Sequence, residues 1–211
     1  MEMLRMFTKA FGLFMLFAAY AAHAEDSAAA SGGKNTDINY EDNPEHFHEQ
    51  NITYVAGIEE QWFITRRNVK ASGYTCHSAK KVSFKDGKYT YQFKVRNGTS
   101  GDNYIEWKVE MTPLKTPKHR EFNAVSYKYL PDYLAPQQTP QVSKLMTDDL
   151  QDGCALFVTV TEEARDFRAC MLVQTKSTAG KPIPYICEYV YKTFCPHYPG
   201  MKDEPWDATC Q

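Results

Sequence analysis

Six cysteines are the residues of this chain with the most chemistry available to them: Cys76, Cys154, Cys170, Cys187, Cys195 and Cys210. Cys76 stands beside His77, the neighbour that would activate a free thiol. An even number of cysteines behind a secretory signal reads instead as three disulfides, and a sulfur in a disulfide offers no thiolate. His46-x-His48-Glu49 could hold a metal if a third ligand came from elsewhere. It lies beside a polar leader and reads as a solvated helix start, so no metal site is expected. Lys115, Lys118, His119 and Arg120 form a small basic loop. It could meet a proteoglycan or a carboxylate at the mouth of a barrel, and otherwise it is a solvated loop. Asn51-Ile-Thr53 and Asn97-Gly-Thr99 are glycosylation sequons, expected on the surface. No hydrolase elbow, phosphate loop, dinucleotide fingerprint or zinc spacing is present. Catalytic residues and cofactors are therefore not expected, and the chain does not read as an enzyme.

The segments around these residues set the compartment. Met1–Lys9 carries Arg5 and Lys9, Ala10–Ala22 is apolar, and Ala22-His23-Ala24 is a small-x-small site. That predicts a signal peptide over residues 1–24, cleaved after Ala24, and a secreted, extracellular product. The apolar run is shorter than the ~20 residues of a membrane helix, so no membrane span is expected. Without Arg5, Lys9 and Glu2, the 24 Lys+Arg and 26 Asp+Glu of the chain become 22 and 25. A nucleic-acid binder needs a basic excess or stripe, and neither is present. Fourteen Tyr, 12 Phe and 3 Trp supply core material for one folded domain. Residues 25–43 read as a flexible leader and residues 44–211 as that domain.

From Gln61 onward the hydropathy alternates with period two. The predicted strands are Gln61–Arg67, Gly73–Phe84, Lys88–Arg96, Tyr104–Thr112, His119–Leu130, Gln141–Thr147, Cys154–Thr161 and Phe167–Thr175. Asp86-Gly87 marks a hairpin turn. Pro44–Gln50 predicts a short helix with Asn43 as its cap. In Pro184–Cys195, Cys187, Tyr191 and Cys195 recur every four residues, the spacing of one helix face. Eight strands with short turns and then a helix predict an all-β, eight-stranded up-and-down antiparallel barrel. Such a barrel has room for side chains or one small ligand. A two-sheet sandwich is the rival. The rows Tyr89/Tyr91/Phe93 and Ile105/Trp107/Val109, with Tyr127 on the fifth strand, are the candidates to line a cavity or to fill a core. Trp62 is placed to plug a closed barrel end or to meet a ligand. The six cysteines allow 15 pairings, and spacing does not choose among them.

This layout resembles the lipocalins, and more narrowly the tick salivary lipocalins, a group with histamine-binding and japanin-like members. The residues that carry the resemblance are Tyr74-Thr75-Cys76, Asp152-Gly153-Cys154-Ala-Leu-Phe-Val158, Cys170-Met171-Leu172, the helical Cys187…Cys195 and the terminal Cys210. The resemblance implies the pairing Cys76–Cys210, Cys154–Cys187 and Cys170–Cys195. It also implies a monomeric protein that binds and sequesters a small host mediator and so suppresses host inflammatory and immune defence. The chain departs from the amine binders, which carry a Glu before a Leu-Trp on strand eight. Met171 and Val173 stand at the matching positions. Asn68–Tyr74, leading to the second-strand cysteine, has no acidic residue. An ammonium group in a low-dielectric barrel needs a carboxylate, so a lipid or sterol is expected before histamine or another amine. Glu106 or Glu110 would reopen the amine reading if either pointed inward. The alternative is a scaffold whose loops, above all Pro131–Pro140, contact a host immune protein or cell.

Overall fold

The computed structural model describes residues 38–161 and 164–211. The predicted signal peptide, most of the predicted leader and part of the predicted Glu162–Asp166 turn lie outside these residues. The strands are β1 (Trp62–Arg67), β2 (Tyr74–Lys85), β3 (Lys88–Asn97) and β4 (Tyr104–Leu114). They continue with β5 (Ala124–Tyr127), β6 (Gln141–Asp149), β7 (Cys154–Thr161) and β8 (Ala164–Thr175). Each is hydrogen-bonded to the next, and β8 returns to β1, so the sheet is a closed antiparallel barrel. This is the predicted architecture, and the sandwich is excluded.

The alternation in β3 and β4 fixes their register. Tyr91 faces Val109 and Phe93 faces Trp107 on the inner side. On the outer side Lys94 meets Glu106 at 3.4 Å and Lys88 meets Glu110 at 3.6 Å. A slip of one residue would turn the apolar row to water. Asp86 and Gly87 both have positive φ, 51° and 75°, the backbone of a tight hairpin turn whose twist suits the strands. β7 and β8 are covered on both faces. Ala155 and Val173 look inward, while Leu156, Val158 and Leu172 pack outward under the C-terminal helix.

Two helices flank the barrel. α1 (Ile52–Gly57) was not anticipated from the sequence. Its cap is Asn51, whose Oδ1 accepts from the Thr53 amide at 3.0 Å, so the first sequon doubles as a helix start. The predicted short helix before it is a 3₁₀ turn, Pro44–Glu49, capped by Asn43. α2 (Tyr185–Phe194) follows Pro184 and turns Cys187, Val190 and Tyr191 onto the barrel wall. The fifth strand is much shorter than His119–Leu130. Residues 115–123 form a loop tied by Asn123 Oδ1 accepting from the Thr116 amide at 2.9 Å, with Lys118 at φ 74°.

Three disulfides join Cys76 to Cys210, Cys154 to Cys187 and Cys170 to Cys195, the pairing the resemblance implies. They fasten the C-terminal tail to β2, and α2 to β7 and β8. Side-chain pairs complete the fastening. Arg96 is fully buried and binds Asp207 Oδ2 at 2.5 Å and Thr209 Oγ1 at 2.6 Å. At the other terminus the chain is already held against the wall at Tyr40–Asp42, ahead of residue 44. Glu41 is fully buried and pairs with Arg168 at 2.6 Å, and Asp42 pairs with Lys144 at 2.7 Å.

Candidate ligand cavity

The strands alternate in direction, so their connections fall at two ends. The β2–β3 hairpin and the β4–β5 loop share the end closed by α1, where Lys81 Nζ donates to Ala56 O at 2.9 Å and the Ile52 amide to Phe122 O at 2.8 Å. The long connections 68–73, 98–103 and 128–140 share the other end. Between them lies a cavity of about 140 Å³.

Ile52, Val55 and Ala56 of α1 form the floor, together with Trp62 at the start of β1. Tyr89, Tyr91 and Phe93 supply one wall from β3, and Trp107 faces Phe93 across β4 with ring centroids 5.9 Å apart. Tyr127 and, from β8, Met171 and Val173 complete the set. The structure thus brings Trp62, Tyr89, Tyr91, Phe93, Trp107, Tyr127, Met171 and Val173 together around one space. Ile105 and Val109 share the inner core with them but do not open onto the cavity. Met111, Tyr129 and Phe157 do, although they were not among the candidates. The same period-two rows pointed to them, as the next inward positions after Val109, Tyr127 and Ala155. The floor residues of α1 had no such signal.

The cavity carries no acid. Among the described residues, none of those lining it is Asp or Glu. Glu106 and Glu110 are exposed on the outer face of β4, which closes the route to an inward carboxylate there. Lys94 is also among the lining residues, with its Nζ turned to Glu106 on the outer face; tyrosines supply most of the other polar groups. Burial holds the Tyr91 and Tyr127 phenols above the ordinary tyrosine range and pushes Tyr129 up to about 12. Trp107 Nε1 donates to Tyr129 O at 2.7 Å.

His77 lines the same wall. Its Nε2 lies 3.2 Å from Arg67 Nη2 and 3.1 Å from Tyr74 O. Burial first, and the Arg67 charge second, push it down to about 3. An unfolded chain has a histidine near ~6.5, so it binds more protons than the folded chain between these values. Stability contributed by neutral His77 is therefore present above about pH 6.5 and is lost as pH falls toward 3. Asp148 acts in the opposite sense: burial, Asp149 and Glu49 raise it to about 6, so the folded chain gains protons there on acidification. His77→Gln is expected to flatten the acid side of the profile. Thermal unfolding from pH 7 to pH 4 should show wild type losing more Tm than the variant, and equal losses would refute the assignment.

The other candidates lie elsewhere. His46 stacks on Tyr40 with centroids 3.8 Å apart, and His48 points to solvent. Among the described residues, the one close His/Cys/Asp/Glu group is Cys76, Asp207 and Cys210, whose sulfurs are joined in a disulfide. The basic loop sits at the α1 end and not at a barrel mouth. There His119 Nε2 meets Gln50 Oε1 at 2.8 Å and its ring packs on Phe47. Asn51 and Asn97 are both half-buried. No described helix is long and apolar enough to cross a membrane.

The family model for the tick histamine-binding protein matches residues 40–211. No curated protein matches the chain in sequence. Among solved structures the chain is similar to japanin from Rhipicephalus appendiculatus bound to cholesterol. The identity is 14%, the TM-score 0.52, and the match covers 72% of this chain and 96% of that one. The siderocalin Ex-FABP gives 8% identity and a TM-score of 0.48 over 72% of this chain and 96% of its own. The cockroach allergen Per a 4 gives 10% and 0.46 over 86% and 96%. At these identities the likeness is one of fold. With the matched segment reaching from the first docked turn at Tyr40 to the last residue, the chain belongs to the tick histamine-binding protein family.

Proposed function

We propose that the protein is a secreted, non-catalytic binder that takes up a small, neutral, apolar host mediator and lowers its free concentration, suppressing host inflammatory and immune defence. A sterol or other lipid is favoured over a biogenic amine. The observation that carries this reading is the cavity without a carboxylate: a buried ammonium group there would have no counter-charge. Japanin, similar in fold, has a structure bound to cholesterol, a neutral molecule. Three disulfides support an extracellular setting.

Size limits the ligand. An engineered cavity of ~150 Å³ takes benzene, and this one has about 140 Å³. A sterol fits only if it also occupies the edge of the cavity and moves flexible side chains. Met111 and Met171 line the space and are the residues most able to yield. The test is titration of delipidated protein, followed by tryptophan fluorescence, since Trp62 and Trp107 both line the cavity. Cholesterol is expected to saturate at one equivalent, and histamine to leave the signal unchanged up to ~1 mM, a binding energy of only ~4 kcal/mol. Histamine binding more tightly than cholesterol would overturn the reading.

A second reading rests on Tyr133, 80% exposed in the proline-rich loop at the end opposite α1. A side chain of that kind is an interface anchor. If the barrel is a scaffold for this loop, Tyr133→Ala abolishes capture of a host immune protein, and no lipid co-purifies.

A further inference from the structure

We infer that the hydroxyl chain Tyr127–Ser143–Thr159 is the polar anchor of the cavity, so that the ligand carries a hydroxyl or carbonyl oxygen on an otherwise apolar body. This rests on the apolar-ligand reading above and deepens it. The three residues are inward positions on consecutive strands, β5, β6 and β7, with Ser143 directly opposite Thr159 in register. Tyr127 Oη lies 3.2 Å from Ser143 Oγ, and Ser143 Oγ lies 2.5 Å from Thr159 Oγ1. All three are buried, at 6%, 2% and 6% exposure, and Tyr127 and Ser143 line the cavity.

Counting hydrogens shows what the chain leaves over. Each hydroxyl donates once and accepts twice. Two contacts use two of the three protons. Among the described residues, Gln141 is a further side chain that reaches this hydroxyl chain, at the Tyr127 oxygen. Either end of each contact can be the donor. The third proton therefore has no fixed owner within the chain, and Tyr127 and Ser143 present their hydroxyls to the cavity wall. An unmet buried donor is costly, and an oxygen on the ligand would meet it.

The Tyr89, Tyr91 and Tyr129 phenols and His77 also line the cavity, so the anchor is distinguished by its linked hydroxyls, while other polar groups are engaged within the protein. Ser78 Oγ accepts from Gln61 Nε2 at 2.8 Å, and Trp107 Nε1 is bound to Tyr129 O. Trp62 Nε1 has no partner but is closed off from open space.

The probe is a pair of sterols that differ only in the hydroxyl: cholesterol and cholest-5-ene. Wild type is expected to prefer cholesterol by about tenfold or more, the effect of one hydrogen bond of this kind. Tyr127→Phe combined with Ser143→Ala should bring the ratio close to one while cholestene affinity stays, which also shows that the variant is folded. Equal binding of the two sterols by wild type, or a ratio unchanged in the variant, would overturn the anchor and leave the apolar cavity standing. Wild type that binds neither sterol would overturn both.

Discussion

Replacing Cys76 and Cys210 together by alanine is expected to lower the unfolding free energy by about 5 kcal/mol. The bridge spans 134 residues, and closing a loop of that length in the unfolded chain is worth about 5 kcal/mol in the chain-entropy picture. The Cys154–Cys187 and Cys170–Cys195 bridges span 33 and 25 residues, for which the same relation gives about 3.5–4 kcal/mol each. The native contacts argue for a different order. Cys154 and Cys187 are both fully buried in the core under α2, whereas Cys210 is only half-buried at the chain end. Denaturant unfolding of the two double alanine variants, without reductant, decides between these accounts. A larger loss for Cys76/Cys210 supports loop closure. A larger loss for Cys154/Cys187 means that release of α2 and the voids left beneath it dominate.

How much of this could be read from residues alone depends on what each strand faces. β3 and β4 have one wet face, so their alternation was plain, and it led directly to Tyr91, Phe93 and Trp107 around the cavity. The alternation of Val125, Tyr127 and Tyr129 overstated β5, because side chains go on alternating inward after the ladder has ended at Tyr127. α1 was invisible. It is six residues long and includes the β-branched Ile52, Thr53 and Val55, poor helix formers that hold only because Ile52 and Val55 are buried as the cavity floor. The cysteine pairing came from the resemblance and not from spacing. The hydroxyl chain escaped notice because Ser143 and Thr159 sit in strands scanned for apolar alternation. Their meaning depends on a register that brings residues 127, 143 and 159 together. Pro196, Pro199, Gly200 and Pro205 mark the C-terminal segment as an extended tail, yet it delivers Asp203 to Arg67 and Asp207 to Arg96. Pairings across more than a hundred residues have no local signature.

The pairing of Arg67 with Asp203 supports the second large expectation, which joins the tail to the cavity. Arg67 Nη2 and Nε lie 2.6 and 2.7 Å from Asp203 Oδ2, with side chains 12% and 10% exposed. The same guanidinium touches His77, and its charge acts on the Tyr129 phenol, and both of those residues line the cavity. Asp203→Ala leaves a buried cation without its partner, at a loss of about 3–5 kcal/mol. Arg67→Met combined with Asp203→Ala should recover most of that loss, because no charge is then stranded. The single variant should also change which ligand is preferred. An unpaired guanidinium behind the cavity wall, in contact with the lining residue His77, is a partner for a carboxylate that reaches it, so binding of a fatty acid should rise at least tenfold relative to its alcohol, a difference of ~1.4 kcal/mol. It should also restore stability in proportion to occupancy. Wild type, with Arg67 satisfied, should show no such preference for the acid. A fatty-acid preference already present in wild type would mean that Asp203 does not neutralise Arg67. Stability unchanged in Asp203→Ala would mean that water reaches the guanidinium and that this end of the barrel is wet. If both expectations hold, the tail acts as more than a fastening: it supplies the carboxylate that neutralises the guanidinium behind this part of the cavity wall.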